Sequence, residues 1–204
     1  MLHSDVTYSV VPRLSLKESL FSIMTDSKQT DFMHAYNGCH DRFLRYCSSL
    51  AYGKMDVQDL VQDVLLTTYH KFEKIENKEQ LLHYLIRAAR NRSISNWRKQ
   101  KNQTELTELH AERLSDQGVS PDIILDIQLL YRMLDKLPSK QKDALVLFEI
   151  NGFSMKEIAD IQGSNEGAIK TKISRGRKKL AALMNDNTSR PVSDLLETLQ
   201  TITL

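Results

Sequence analysis

The sequence is poor in residues that interrupt helices or cross-link chains: its 204 residues include only seven glycines, four prolines and two cysteines. Strand signals are almost absent and helical periodicity is nearly continuous, which predicts an all-α fold. Cys39 and Cys47 are too few for a structural zinc site without histidines, and their spacing matches no CxxC pattern. We therefore expect buried, reduced thiols.

Long apolar runs are also missing. No segment approaches the roughly 18 to 20 apolar residues that a membrane span needs. The N-terminal sequence MLHSDVTY lacks the cationic start and apolar stretch of a secretion signal. We predict a cytoplasmic protein without membrane insertion.

Charge is distributed in blocks, although the whole chain is nearly balanced with 28 basic and 26 acidic side chains. Residues 81–102 carry six Lys or Arg and no acid, whereas residues 103–126 carry six acids and one arginine. The 41% of apolar residues is enough for packed cores. The blocks favour two small helical domains over one large domain.

Composition also predicts the domain boundaries. We expect an N-terminal extension (1–27), a first helical domain (28–102) with breaks near Gly53 and Asn77, a flexible acidic linker (103–121), a second helical domain (122–184) and a C-terminal tail (185–204). The linker is inferred from its acidity and its scarcity of large apolar side chains. Leucines at helical spacing predict one short helix in the tail. Whether that helix completes a core or binds a regulator is open.

The most informative segment is residues 154–180, SMKEIADIQGSNEGAIKTKISRGRKKL. Ser154 and Glu157 can form a capping box, Gly163 permits a tight turn, and Asn165 or the serine before it can cap the next helix. That helix carries six cations and no acid after its first residue. This combination is typical of a DNA-reading helix-turn-helix. The alternative is a solvated basic helix end that offsets the helix dipole.

Residues 56–72, DVQDLVQDVLLTTYHKF, predict a second functional surface. Apolar residues form a core stripe, and a separate ridge at i, i+3, i+4 and i+7 mixes acidic, amide and apolar groups. The ridge consists of Asp59, Gln62, Asp63 and Leu66, and it suits docking to another protein. Its acids lack the further ligands of a two-metal nuclease, so we predict no metal, no cofactor and no catalytic residue. A solvated helix face is the remaining alternative.

Residues 81–101, LLHYLIRAARNRSISNWRKQK, predict a basic helix with one apolar face. The positions expected to pack inward are Leu82, Leu85, Ile86, Ala89 and Ile94. The positions expected to point to solvent are Arg87, Arg90, Arg98 and Lys99. Cations track phosphates and an aromatic ring can stack on an unpaired base, so this helix suits a separated DNA strand. Trp97 can supply that ring or pack in the core.

Three stretches, in this order and spacing, resemble bacterial RNA polymerase sigma factors of the extracytoplasmic-function (ECF) group. They are DLVQD at residues 59–63, IRAARNRSISNWRK at residues 86–99, and a C-terminal set made of Leu137-Pro138, Glu157-Ile158-Ala159 and the basic helix from Asn165 to Lys179. The resemblance covers about residues 30–184. The chain departs from the family pattern at Ser95, where an acid is usual, at Lys142, where arginine is common, and at Ser164, where an apolar residue is common.

The resemblance implies a promoter-specificity subunit without catalytic activity. Its acidic helix is expected to bind the clamp of core RNA polymerase through Asp59, Gln62, Asp63 and Leu66. Its basic helix is expected to recognise and help melt the minus-10 element through Arg87, Arg90, Asn91, Ser95, Trp97, Arg98 and Lys99. Its C-terminal helix is expected to read double-stranded minus-35 DNA through Asn165, Glu166, Lys170, Thr171, Lys172, Ser174, Arg175 and Lys178.

Two other functional classes compete with this interpretation. One is an autonomous helix-turn-helix regulator whose first domain only dimerises or senses, and the other is a nucleic-acid enzyme. The sequence leaves open the promoter, the inducing signal and whether an anti-sigma factor holds the protein inactive.

Overall fold

The computed structural model describes residues 27–97, 103–116, 118–185 and 190–201, and within these ranges it contains ten α-helices and no strand. The first four are α1 (Ser27–Asn37), α2 (His40–Ala51), α3 (Val57–Lys71) and α4 (Leu81–Trp97), with 3-10 turns at Phe72–Lys74 and Lys78–Gln80. The others are α5 (Gln103–Asp116), α6 (Pro121–Leu134), α7 (Ser139–Leu145), α8 (Met155–Gln162), α9 (Glu166–Met184) and α10 (Val192–Thr201). The all-α prediction is confirmed.

Helices α2, α3 and α4 pack together to form the core of the first domain. Helix α3 begins at Asp56, whose side chain accepts hydrogen bonds from the backbone amides of Gln58 and Asp59 at 2.7 and 3.2 Å. The core stripe predicted for this helix is buried at Val57, Leu60, Val61, Val64, Leu65, Thr68 and Phe72, and Tyr69 is half-buried. The breaks near Gly53 and Asn77 fall where the sequence predicted them.

The two cysteines are buried and free in this core, as expected from their number and spacing. Burial raises the pKa of Cys39 to about 11 and also raises the pKa of Cys47. Both side chains are therefore neutral thiols at physiological pH, which makes them poor nucleophiles.

The core of the second domain lies between α6, α7 and α9, and one π-helical turn (Val146–Ile150) continues α7. Gly176 in the middle of α9 allows a close approach to α7, because a Cβ atom at this position would lie 2.8 Å from Leu145 Cδ1. Ile169, Ile173 and Leu180 are buried along the same face of α9, as their spacing predicted. Packing therefore fixes which side of α9 faces solvent.

The segment expected to be a flexible linker is helical over Gln103–Asp116, which differs from the sequence interpretation. Leu114 of this helix is buried, and the Gly53 amide donates a hydrogen bond to His110 Nδ1 at 3.3 Å. Arg113 also pairs with Asp56 at 3.4 Å. Acidity and few apolar residues predicted an irregular chain, but one buried leucine and these polar contacts hold α5 against the first domain.

The predicted short helix in the tail is α10, and it packs on α6, α9 and the π-helical turn. Its leucines, Leu195, Leu196 and Leu199, are all buried. Arg190 pairs with Asp126 of α6 at 3.2 Å, which also holds the start of the tail in place. The tail thus completes the core of the second domain. Predictions for the N-terminal extension before Ser27 lie outside the described residues.

Replacing Leu199 by alanine tests the structural role of the tail. We expect Leu199→Ala to lower the free energy of unfolding by about 2 to 5 kcal/mol, because the substitution leaves a cavity in a packed core. Leu125→Ala is a matched control, since Leu125 is 61% exposed, and it should change stability by less than about 0.5 kcal/mol. Urea unfolding followed by circular dichroism measures both. Equal stability of the two variants would contradict the docked tail.

Candidate polymerase and nucleic-acid interfaces

The helix-turn-helix is held by local hydrogen bonds that the sequence predicted. Ser154 Oγ accepts from the Glu157 amide at 3.2 Å, and Glu157 Oε2 accepts from the Ser154 amide at 2.8 Å, which completes a capping box. Gly163 ends α8 in the left-handed conformation, with φ of 58°. Asn165 Oδ1 then accepts from the Ala168 amide at 2.8 Å, so Asn165 caps α9.

The solvent face of α9 carries the side chains predicted to contact DNA. The exposed members are Asn165, Glu166, Lys170, Thr171, Ser174, Arg175 and Lys178. This face carries both cations and smaller polar groups, which suits phosphate contacts beside base-edge contacts. The face is long enough for a major groove, because α9 runs for 19 residues.

Lys172 lies at the edge of this face and is only half-buried. Its Nζ donates to Gln162 Oε1 of α8 at 2.8 Å. Burial, together with nearby Lys140 and Arg90, lowers the pKa of Lys172. Lys172 belongs to α9 and Arg90 belongs to α4, so these two helices lie close enough for their cations to repel each other.

The predicted protein-docking ridge lies on the outer face of α3. Asp59, Gln62 and Leu66 are exposed, and Leu66 exposes 45% of its surface although it is a large apolar residue. Asp63 is less accessible because it forms an ion pair with Arg92 of α4. The ridge therefore combines one free apolar side chain with acidic and amide groups.

The basic helix α4 presents its cations on more than one side. Arg87 and Asn91 are exposed, whereas Arg90 is half-buried and donates to Asp143 of α7 at 2.5 Å. The expectation that Arg90 points freely to solvent is therefore wrong. Ile94 was expected to pack inward but is 42% exposed, because α4 extends beyond the first core toward a cleft lined by Lys54 and Leu137.

Four of the predicted minus-10 residues cannot be placed. The side chains of Ser95 and Trp97 lie outside the described part, and so do Arg98 and Lys99 altogether. The two interpretations of Trp97, stacking on a base or packing in the core, both stay predictions.

A groove of about 430 Å³ lies at the surface between α3 and α4, which pack together beneath it. It connects the predicted docking ridge of α3 to the predicted DNA-binding surface of α4. Tyr84, Arg87, Asn91 and Arg92 line one side, and Thr67 of α3 lines the other. Sequence reasoning missed Arg92 as part of the site. Its charge was visible in the basic block, but its partner Asp63 lies 29 positions earlier, and only the packing of α3 on α4 brings them together.

Two kinds of site do not occur in the described ranges. His, Cys, Asp and Glu side chains nowhere gather there in a group of three that could hold a metal ion. Every helix in these ranges is also too short or too polar to cross a lipid bilayer.

Each of the two helical domains is similar to a known protein family. Residues 35–103 match the model of sigma-70 region 2, and residues 127–180 match that of sigma-70 region 4. The chain is 30% identical over 162 residues to the ECF RNA polymerase sigma factor EcfG of Rhodopseudomonas palustris (strain TIE-1), covering 79% of this chain and 87% of that protein. The chain belongs to the ECF sigma factors. It binds core RNA polymerase and directs transcription initiation from specific promoters.

Other relatives agree with this family. The ECF sigma factor SigF of Caulobacter vibrioides (strain NA1000 / CB15N) is 32% identical over 130 residues, covering 63% of this chain and 71% of that protein. RpoE of Bartonella quintana, solved in complex with the anti-sigma factor NepR, is 27% identical with a TM-score of 0.54, covering 78% of this chain and 99% of that one. CnrH in complex with the cytosolic domain of CnrY shares the fold, with 22% identity, a TM-score of 0.59, and coverage of 85% and 97%.

The other functional classes are not favoured. An autonomous helix-turn-helix regulator needs only the second domain for DNA binding, whereas here both sigma-70 regions are present in order. Sigma factors are regulatory, non-catalytic proteins, which agrees with the expectation for this ECF sigma factor.

The capping box makes the stability of this sigma factor depend on pH. Burial acts to raise the pKa of Glu157, but hydrogen bonds from Ser154 and Arg42 outweigh burial and hold that pKa below its usual value. A carboxylate with a lowered pKa in the folded state stabilises the fold above its unfolded pKa of about 4.3, and this stabilisation is lost as pH falls through the folded pKa.

We therefore expect Glu157→Gln to lower the free energy of unfolding by about 0.5 to 1 kcal/mol at pH 7, because glutamine keeps the capping hydrogen bond but loses the negative charge that Arg42 and the N-terminus of α8 stabilise. The difference from the wild type should shrink as pH falls from 5 to 3. Urea unfolding across this pH range measures it, with Glu112→Gln on the exposed face of α5 as the control. A difference that is constant with pH would exclude the charged capping box as its source.

Proposed function

We propose that the first domain (28–102) docks on core polymerase and captures the melted minus-10 strand, while the second domain (122–184) binds duplex minus-35 DNA. One observation carries this division of labour. The exposed ridge of α3 and the basic residues of α4 border one groove of a packed helix pair, which Asp63, Arg87 and Asn91 line together, and the polar face of α9 lies on a separate domain. One chain can thus hold an enzyme and two DNA elements through three different surfaces.

The α3 ridge has the composition of a protein-binding surface. Leu66 supplies an exposed apolar anchor, and Asp59 and Gln62 supply polar groups beside it. Interfaces commonly combine a desolvated apolar centre with a polar rim, so we assign Leu66 to the centre. Asp63 contributes a charge that Arg92 partly neutralises.

Introducing two arginines on the ridge tests whether it binds core polymerase. We expect Asp59→Arg combined with Leu66→Arg to weaken binding to core polymerase by at least about 30-fold, since loss of an interface hot spot costs about 2 kcal/mol or more. Glu76→Arg is the matched control, because it also replaces an exposed acid of the first domain by arginine but lies outside α3. Biolayer interferometry with immobilised core polymerase gives the affinities, and circular dichroism checks the fold. Wild-type affinity of the double variant would exclude the ridge as the contact.

The face of α9 has the groups needed to hold and read a duplex. Lys170, Arg175 and Lys178 are exposed and can reach phosphates, whereas Asn165 and Glu166 stand at the N-terminus of the helix. In helix-turn-helix proteins the N-terminal residues of the recognition helix contact base edges. We therefore assign Asn165 and Glu166 to base edges and the three cations to the backbone.

The salt dependence of promoter binding distinguishes these roles. Holoenzyme carrying Lys170→Ala should bind a promoter duplex more weakly at low salt, with the slope of log K against log salt reduced by about 1. The duplex is selected beforehand by wild-type holoenzyme from a library of genomic upstream fragments. Lys136→Ala, an exposed lysine outside α9, is the control. An unchanged slope for Lys170→Ala would remove it from the phosphate contacts.

Three further features belong to this proposal. The chain has no catalytic activity of its own, and it acts in the cytoplasm, where core polymerase meets the chromosome. An anti-sigma protein regulates it, which is supported by the two structural neighbours, solved as CnrH with the cytosolic domain of CnrY and as RpoE with NepR.

A further inference from the structure

A cleft of about 290 Å³ lies where the end of α2, helix α4 and the start of α7 meet. We call it the junction cleft. None of the residues of the α3 ridge or of the exposed face of α9 lines it. Its apolar lining consists of Leu50, Ile94 and Leu137, and the rest of its lining is charged or hydroxylic. The cleft is therefore a separate feature from the polymerase and minus-35 surfaces.

Apolar packing that runs through both domains fixes the walls of the junction cleft. Leu137 is buried within this continuous apolar cluster, and Leu50 packs against it. Nearby, Tyr52 stacks on Tyr131 with ring centroids 4.2 Å apart. Sites for small molecules are usually preformed spaces of about 300 Å³ or more, with apolar walls and a few convergent polar groups. The junction cleft is built in this way and lies at the small end of the range.

The charges that line the cleft do not balance. Lys54, Lys142 and Arg90 supply three cations, whereas Asp135 and Asp143 supply two carboxylates, which leaves an excess of one positive charge. Burial acts to raise the pKa of Asp135, but Lys142 and Lys54 outweigh burial and hold that pKa below its usual value. Burial raises the pKa of Asp143, and any proton that this carboxylate takes up adds to the positive excess.

The two lysines of the cleft share one acceptor. Lys54 exposes only 12% of its side chain and Lys142 only 17%. Lys54 Nζ donates to Asp135 Oδ1 at 2.6 Å, and Lys142 Nζ donates to the same oxygen. An ammonium group has three N–H donors, and neither lysine finds a second acceptor among the residues that the structure describes. Because buried charges are normally paired and fully hydrogen-bonded, this site lacks an acceptor.

The pKa of Lys54 shows the same shortage of negative charge. Burial and the nearby Lys142 lower this pKa to about 8, although Asp135 acts to raise it. An anion beside Nζ stabilises the charged ammonium and offsets both effects. Arg90 uses Nε for Asp143 at 2.5 Å, and a guanidinium group has further N–H donors.

We propose that the junction cleft binds a small organic oxyanion, either a carboxylate or a phosphate monoester. Its charged group lies against Lys54 and Lys142, and its apolar part lies on Leu50, Ile94 and Leu137. The hydroxyl groups of the two serines that line the cleft, Ser93 and Ser139, are further donors for the oxyanion. This site involves neither polymerase nor DNA, so it can be tested independently of the proposed function.

Fluorine NMR titration of the full-length protein tests the site. The probes are para-fluorobenzoate and para-fluorophenyl phosphate, and para-fluorobenzyl alcohol is the neutral control, all at one ionic strength. We expect both anions to bind saturably and the alcohol to bind at least about 10-fold more weakly, because a hydrogen bond between charged groups is stronger than a neutral one. Tighter binding of one anion identifies the preferred class of ligand. Lack of saturable binding by both anions, or equal binding by the alcohol, would overturn the proposal.

Three variants locate the bound probe. Lys54→Met should weaken binding of para-fluorobenzoate by about 10- to 100-fold, as for loss of a hydrogen bond to a charged group. Replacing a desolvated charge by an apolar side chain of similar length is usually tolerated by the fold, which circular dichroism checks. Ile94→Glu, at a position that is 42% exposed, puts a like charge in the apolar wall and should also abolish binding. Lys136→Met removes an exposed lysine outside the cleft and should change nothing.

The proposal fails if Lys54→Met and Lys136→Met bind the probe equally well, because a general attraction of anions to lysines would then explain the titration. It also fails if Ile94→Glu keeps its fold and the affinity of the wild type, since the apolar wall would then not contact the ligand.

The pH dependence of binding is a further readout of Lys54. The probe para-fluorobenzoate stays ionised as pH rises from about 7 to 9, whereas Lys54, with a pKa of about 8, loses its proton over this range. Wild-type affinity should therefore fall as pH rises, and the affinity of Lys54→Met should stay constant. The other charged groups that line the cleft are Lys142, Arg90, Asp135 and Asp143. A wild-type affinity that does not change with pH would contradict the contact between the anion and Lys54.

Discussion

The packing of α3 on α4 is the constraint on which the rest of this sigma factor depends. Leu60, Val64 and Leu65 of α3 are buried together with Leu85 and Ile86 of α4, and burial of each such side chain contributes about 1.5 to 3 kcal/mol. The apolar contact fixes the rotation of both helices about their axes. The ridge and the basic surface therefore keep one geometry relative to each other, which is what the proposed function requires of a helix pair that joins polymerase to DNA.

Contacts within each domain differ in kind from contacts between the two domains. Within each domain the contacts are apolar and close-packed, and Gly176 against Leu145 shows how little space remains. Between the domains, ion pairs such as Arg90–Asp143 lie beside buried aromatic contacts such as Tyr52 on Tyr131. Apolar packing therefore stabilises each domain, and the contacts between the domains combine apolar burial with charged groups that lose part of their hydration.

Local signals explain why much of the fold could be predicted. The capping box at Ser154, the glycine turn at Gly163 and the period of Ile169, Ile173 and Leu180 all lie within 27 residues, and the structure has each of them. Contacts distant in sequence could not be predicted: the role of Arg90 changes because Asp143, 53 positions later, lies beside it. The helix at Gln103–Asp116 was missed for the same reason, since its anchors are in the first domain.

The helical state of α5 also affects promoter architecture. Its 14 residues span about 21 Å as a helix, at about 1.5 Å per residue, whereas an extended chain of that length reaches about 49 Å. The difference of about 28 Å corresponds to about eight base pairs of duplex at about 3.4 Å each. Under the proposed function, a connector that stays helical shortens the distance over which one molecule can bridge the two promoter elements, and it thereby narrows the range of spacer lengths. We therefore expect sequence changes that unwind α5 to relax spacer selectivity without altering any of the residues assigned to DNA.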